Sequence, residues 1–132
     1  MIKWKEEYSI GDKKLDEQHK NLFVYCNDLE GILQDGEVTK RQLKLTLRFL
    51  ELYVKCHFGQ EESCMHKYSC PIAATNQQAH EKFIQTYKDF EKKISQENNS
   101  YEVLKSLHTF LEKWLVDHIC KIDTQLKPCI HE

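Results

Sequence analysis

The sequence predicts an all-α protein, an antiparallel up-down-up-down four-helix bundle with an N-terminal arm. Three observations carry this. Four long stretches repeat apolar residues at intervals of three and four, the period of a helix buried on one side. Only 4 Gly and 2 Pro in 132 residues leave too few turn formers for many short strands. The breaks between the stretches are short, and short loops join antiparallel neighbours. The length suits one domain, 1–132, around one core.

The arm comes first, from residue 1 to about 12. It carries Trp4, Tyr8 and Ile10, and Gly11-Asp12 ends it. An indole on a free tail serves no purpose, so the arm should lie on the body and bury Trp4. The first helix starts between Asp12 and Asp16 and runs to about Gln34, with Leu15, His19, Leu22, Phe23, Cys26, Leu29 and Leu33 on one face. Asp35-Gly36 stops it, with Gly suited to a left-handed cap. Thr39-Lys-Arg-Gln42 reads as a capping box for the second helix. Its face is Leu43, Leu47, Leu50, Val54, His57, Phe58, Glu61 and Met65, and Gly59 within it would permit close packing. Tyr68-Ser-Cys-Pro71 is the next break, and Pro71 suits the entrance to a helix running from about Ile72 to Ser95. Gln96–Ser100 is a polar loop with Ser100 as N-cap. The fourth helix carries Leu104, Leu107, Leu111, Trp114, Leu115, His118, Ile119 and Ile122, and should stop before Pro128.

Composition excludes several classes. The net charge of −2 gives no argument for nucleic acid or an anionic membrane. No window approaches the apolar length of a membrane span, and the first residues lack an apolar signal core, so a cytoplasmic location is expected. The 6 Cys are then expected as free thiols, small buried apolar groups rather than disulfides.

A possible ligand interrupts the apolar stripe of every helix. His19 lies between Leu15 and Phe23, and His80 between Ala79 and Phe83. His57 and Glu61 share the second stripe, about 40° apart round the helix. His118 is followed by Asp123. One histidine on an apolar face is more often a satisfied core residue than a ligand. Four are hard to explain that way, because each unpaired buried imidazole or carboxylate costs about 1–3 kcal/mol. A shared metal centre satisfies them together. Four imidazoles and two carboxylates exceed the needs of one tetrahedral ion, so two ions are expected, with Glu61 and Asp123 bridging. His66 falls on the opposite side of its helix, His108 lies almost three turns from His118, and His131 follows Pro128; these are read as ordinary surface or core residues.

These motifs resemble those of hemerythrins, specifically the single-domain bacteriohemerythrin type, over nearly the whole chain. The matching segments are Ile2-Lys-Trp4, Ile10 to Phe23 around His19, His57-Phe58 with Glu61-Glu62 and Met65, His80-Glu-Lys-Phe83, and Trp114 to Asp123. The resemblance implies a non-haem centre of two iron ions, oxo- or hydroxo-bridged, that binds O2 or another small diatomic molecule. It implies that His19 and His57 hold one iron and His80 and His118 the other. Glu61 and Asp123 would bridge. Leu115, with Trp114, Phe23 and Phe58, would line the O2 pocket. One position departs: the family pattern has a second histidine four residues before His80, and this chain has Asn76. Asn76 would then be a weak or water-mediated ligand, or leave an open position.

The leading functional reading is therefore an O2 carrier, store or sensor domain, with a stand-alone carrier preferred because no output domain is attached. The alternative is a di-iron redox enzyme acting on O2, peroxide or NO through the open position at Asn76. A structural zinc bundle is the third reading, with iron preferred.

Overall fold

In the computed structural model, which describes residues 2–96, 99–121 and 123–129, four helices follow one another: α1 Lys13–Gln34, α2 Lys40–Lys67, α3 Ala73–Gln96 and α4 Ser100–Lys121. Of the side chains within these helices, 94–96, 120 and 121 are outside the description. α1 packs on α4 and α2, and α3 packs on α2 and α4, so the helices alternate in direction around one core. A short 3-10 turn at Glu6–Tyr8 interrupts the arm, and a 3-10 segment, Asp123–Cys129, closes the described chain. No helix among the described residues is long and apolar enough to cross a membrane.

The local signals act as the sequence suggests at most helix ends. The Asp12 side chain accepts from the Leu15 N–H at 3.0 Å, satisfying a free donor of the first turn of α1. Past the other end of α1, Gly36 has φ +84°, a conformation that favours glycine. Thr39 and Gln42 form the reciprocal capping box of α2, at 3.0 and 2.8 Å. At α4 the cap differs from expectation. Asn99, not Ser100, accepts from the Glu102 N–H at 3.1 Å, and Ser100 is already helical. An asparagine three residues before the donor fits that role as well as serine does.

The arm lies on the bundle, although its anchors are Tyr8 and Ile10 rather than Trp4. Both are buried, while Trp4 is only partly so and packs edge-on against Tyr8 and Phe23. Asp16 of α1 accepts the Ile10 N–H at 2.9 Å and holds the arm at its root. Gly59 does not serve close packing: a Cβ there would meet nothing within 4 Å. Since Gly costs up to about 1 kcal/mol against Ala inside a helix, Gly59→Ala should raise the melting temperature slightly. Thermal unfolding of the two proteins at matched metal content checks this, and a lower melting temperature would contradict it.

Cys70 and Cys129 are joined as a disulfide, which corrects the expectation of free thiols throughout; Cys26, Cys56 and Cys64 remain free. The two cysteines are 59 residues apart, Cys70 in the turn after α2 and Cys129 at the end of the 3-10 segment. Only the antiparallel closure of the bundle brings the α2–α3 turn beside the C-terminal segment. The bond therefore ties down the segment that carries Asp123.

Candidate metal centre

The candidate ligands converge at one level of the bundle. An apolar floor of Ile10, Leu15, Met65, Cys70 and Leu126 lies on one side, and the main core around Phe23, Phe58, Phe83 and Leu115 on the other. All six candidate ligands are nearly inaccessible, with Glu61 at 0% and His118 the highest at 4%. Five of them come from helices. Asp123 does not: α4 ends at Lys121 and Asp123 opens the 3-10 segment. On a continuing α-helix a residue five positions after His118 would point about 140° away. The change of helix type lets both reach the same point, with His118 Nε2 3.0 Å from Asp123 Oδ1. Ile122, expected in the α4 stripe, lies outside the described residues.

The two carboxylates each present one oxygen to each pair of imidazoles. Glu61 Oε2 is 3.0 Å from His19 Nε2 and 3.3 Å from His57 Nε2. Its other oxygen, Oε1, is 3.1 Å from His80 Nε2 and 3.9 Å from His118 Nε2. Asp123 Oδ2 approaches His19 Nε2 at 3.2 Å, while Oδ1 faces His118. Two overlapping groups result, His19-His57-Glu61 and Glu61-His80-His118-Asp123.

The donors fit a metal better than they fit one another. His80 Nε2, His118 Nε2 and both Asp123 oxygens are buried, close to partners, and yet form no hydrogen bond. Lone pairs that close without donor–acceptor alignment converge on a point between them. Imidazole nitrogen and carboxylate oxygen are the donors a borderline divalent ion such as Fe²⁺ takes.

Aromatic rings and a second layer of polar groups fix the imidazole planes. Phe58 stacks on His80 with centroids 3.8 Å apart, and Trp114 stacks on His118 at 4.3 Å. Leu115 is buried in the core beside them. The ring contacts of Phe23 run instead to Trp4 and Tyr8 of the arm. Sequence reasoning missed Gln18. Its Oε1 lies 2.6 Å from His57 Nδ1, which therefore carries the proton and leaves Nε2 for a metal. Tyr53 donates its hydroxyl to the Gln18 carbonyl at 3.2 Å and steadies this residue. The only sequence signal for Gln18 is its place beside His19. Glu62 Oε1 stands 3.7 Å from His80 Nδ1, an ion-pair distance rather than a hydrogen bond.

Asn76 reaches the centre and is fully buried. Its Nδ2 donates to Glu61 Oε1 at 2.8 Å and approaches Met65 Sδ at 3.1 Å, while Oδ1 has no partner. His66 is exposed, His108 lies elsewhere, and His131 falls outside the described residues.

Without metal, protons hold the cluster together. Burial disfavours the His19 imidazolium, but Asp123 and Glu61 outweigh it and push the pKa up to about 10. Burial is likewise overcome at His118, which the same carboxylates bring to about 9. His57 moves the other way, because burial lowers it more than Glu61 raises it. Burial would raise Glu61, yet the imidazoles of His118, His19, His57 and His80 hold it well below the usual carboxylate range. The signs give a pH profile for the metal-free protein. The depressed Glu61 and His57 add stability as pH rises through their ordinary values, 4.5 and 6.5. The raised His19 and His118 add stability that is fully present below 6.5 and disappears as pH climbs through about 9 and 10. The melting temperature of the metal-free protein should therefore peak near pH 6.5 and fall on the alkaline side. Metal-loaded protein should lack that fall, since ions replace the protons. Equal alkaline slopes with and without metal would contradict this.

Comparison with known proteins places the chain in a family. Residues 11–130 match the family model described as the hemerythrin HHE cation binding domain. The bacteriohemerythrin of Clostridium acetobutylicum is 26% identical over 128 residues, covering 95% of this chain and 98% of that relative. The bacteriohemerythrin of Methylococcus capsulatus is 31% identical over 115 residues, 87% of this chain and 85% of its own length. The myohemerythrin of Theromyzon tessulatum is 28% identical over 94% of this chain and 89% of its own length. A family match over nearly the full chain, on a bundle whose buried histidines and carboxylates meet at one level, makes this protein a member of the hemerythrin family, which holds a non-haem di-iron centre.

Proposed function

We propose that the chain binds O2 reversibly, as a carrier or store, at a di-iron centre held by His19 and His57 on one side, His80 and His118 on the other, with Glu61 and Asp123 shared. Iron in this setting supplies the electrons that let O2 bind. The chain's own residues do the rest. Gln18 fixes the His57 tautomer. Phe58 and Trp114 lie flat on His80 and His118 and keep water from that side of the site. Outside Phe58 and His80 lies an open groove of about 400 Å³ between α2 and α3, lined also by Lys55, Glu62, Glu81 and Lys88.

The observation that carries the reading is the inventory of buried polar side chains. Among the described residues these are the six ligands, Asn76 and Thr46, besides the hydroxyls of Tyr8 and Tyr87 and the buried cysteine sulfurs. Thr46 is fifteen residues from Glu61 along α2, about 22 Å away. Asn76 carries no proton it can give up near neutral pH. The carboxylate of Glu62 stands against His80 at Nδ1, away from the Nε2 that faces the centre, a placement that suits orienting a ligand, and so binding and release, over turnover. Anaerobic loading with ferrous iron followed by cycles of air and argon tests this. A visible absorption band should appear with O2 and vanish on its removal through repeated cycles. A single irreversible change on first exposure would contradict reversible binding.

A further inference from the structure

A second cluster of ligand-type side chains lies outside the di-iron centre, on the seam between α1 and α4. Cys26 of α1 faces His108 and Glu112 of α4, and their ligand atoms all lie within 4.8 Å of one another. Cys26 is fully buried. His108 and Glu112 are one helical turn apart, with side chains 13% and 34% exposed, and their Nε2 and Oε2 stand 3.5 Å apart. Both of these atoms are buried, and neither makes a hydrogen bond. A polar pair on the surface would leave these atoms in water, and here they turn inward toward a thiol.

We propose that Cys26, His108 and Glu112 form a mononuclear site for a zinc-type divalent ion, separate from the di-iron centre. Cys26 is seven residues from His19, which places it about 10 Å further along α1. Thiolate, imidazole and carboxylate together form the donor set of zinc. Ligand bonds of about 2.0–2.3 Å in a tetrahedron put ligand atoms roughly 3.3–3.8 Å apart. The His108–Glu112 spacing of 3.5 Å already matches, and the Cys26 sulfur lies within 4.8 Å of both. Burial, with the charges of Glu112 and Glu30, pushes the free Cys26 thiol up to about 12. The ion would displace that proton and turn a like-charge penalty into ligation. Its effect would be to clamp α1 to α4, the two helices that supply His19 and His118.

Cobalt(II) is the probe, titrated into the iron-loaded full chain. Difference spectra should show a sulfur-to-cobalt charge-transfer band and tetrahedral visible bands, saturating at one cobalt per chain and reversed by zinc. One proton should be released per ion from Cys26. Cys26→Ala should abolish the charge-transfer band, and Glu112→Gln, a change at a partly exposed side chain, should weaken cobalt binding without loss of iron. Cys56→Ser should leave the titration unchanged. No thiolate band in the parent protein, or a band that survives Cys26→Ala, would overturn the proposal. So would unaltered cobalt binding in folded Glu112→Gln, judged by helical circular dichroism and iron content.

Discussion

Glu61→Ala should leave the protein with almost no iron, His57→Ala should lower the iron content sharply, and His66→Ala, a change at an exposed side chain, should leave it unchanged. Glu61 has by far the largest expected effect because its two oxygens face four imidazoles, between 3.0 and 3.9 Å away. Its loss removes a ligand from both positions at once. His57 touches only the Oε2 side, so its loss acts first on one ion. Glu61→Gln separates charge from space. The amide keeps the volume but presents an NH2 group where one position needs a second oxygen. Metal analysis of the purified variants, each shown folded by circular dichroism, decides the matter. Equal iron in Glu61→Ala and His66→Ala would sink the site assignment.

Asn76→His should strengthen the centre on one side. Asn76 holds Glu61 Oε1 from the same side as His80, one turn along α3. An amide or a water is a poorer donor than imidazole for a borderline ion. A histidine there would complete the coordination of the ion held by His80 and His118. Iron at that position should leave more slowly in the presence of a chelator, and the oxygenated protein should last longer before it oxidises. Asn76→Leu removes the amide without adding a ligand. It frees Glu61 Oε1 and should weaken iron by about 10–100-fold, the usual cost of losing a residue that orients a ligand. The contrast guards against a steric artefact, since Met65 Sδ sits close to the substituted group. If Asn76→His leaves the decay unchanged or faster at equal iron content, the open-position account of Asn76 fails.

What the sequence disclosed follows from where each residue sits. The helices were legible because their apolar residues keep a period that only a helix buries on one face. His19, His57, Glu61, His80 and His118 were legible because each breaks that stripe from within. Gln18 was not, because it lies off the stripe among residues that look like ordinary surface. The position of Asp123 depended on a change from α to 3-10 geometry after Lys121, which spacing alone does not announce. The Cys70–Cys129 pair needed the ends of the bundle to close. The proximity of Cys26 to His108 and Glu112 was not legible, because it arises across the seam between α1 and α4 and no spacing within one helix encodes it.

Anomalous diffraction at the iron edge, from crystals of the iron-loaded chain, tests whether Glu61 and Asp123 are shared by two ions at one level of the bundle. The expected map has two iron peaks, about 3.5–4 Å apart as in other two-metal sites. One should lie against the Nε2 atoms of His19 and His57, the other against those of His80 and His118, with Glu61 and Asp123 between. A single peak, or two peaks that do not share both carboxylates, would contradict the account.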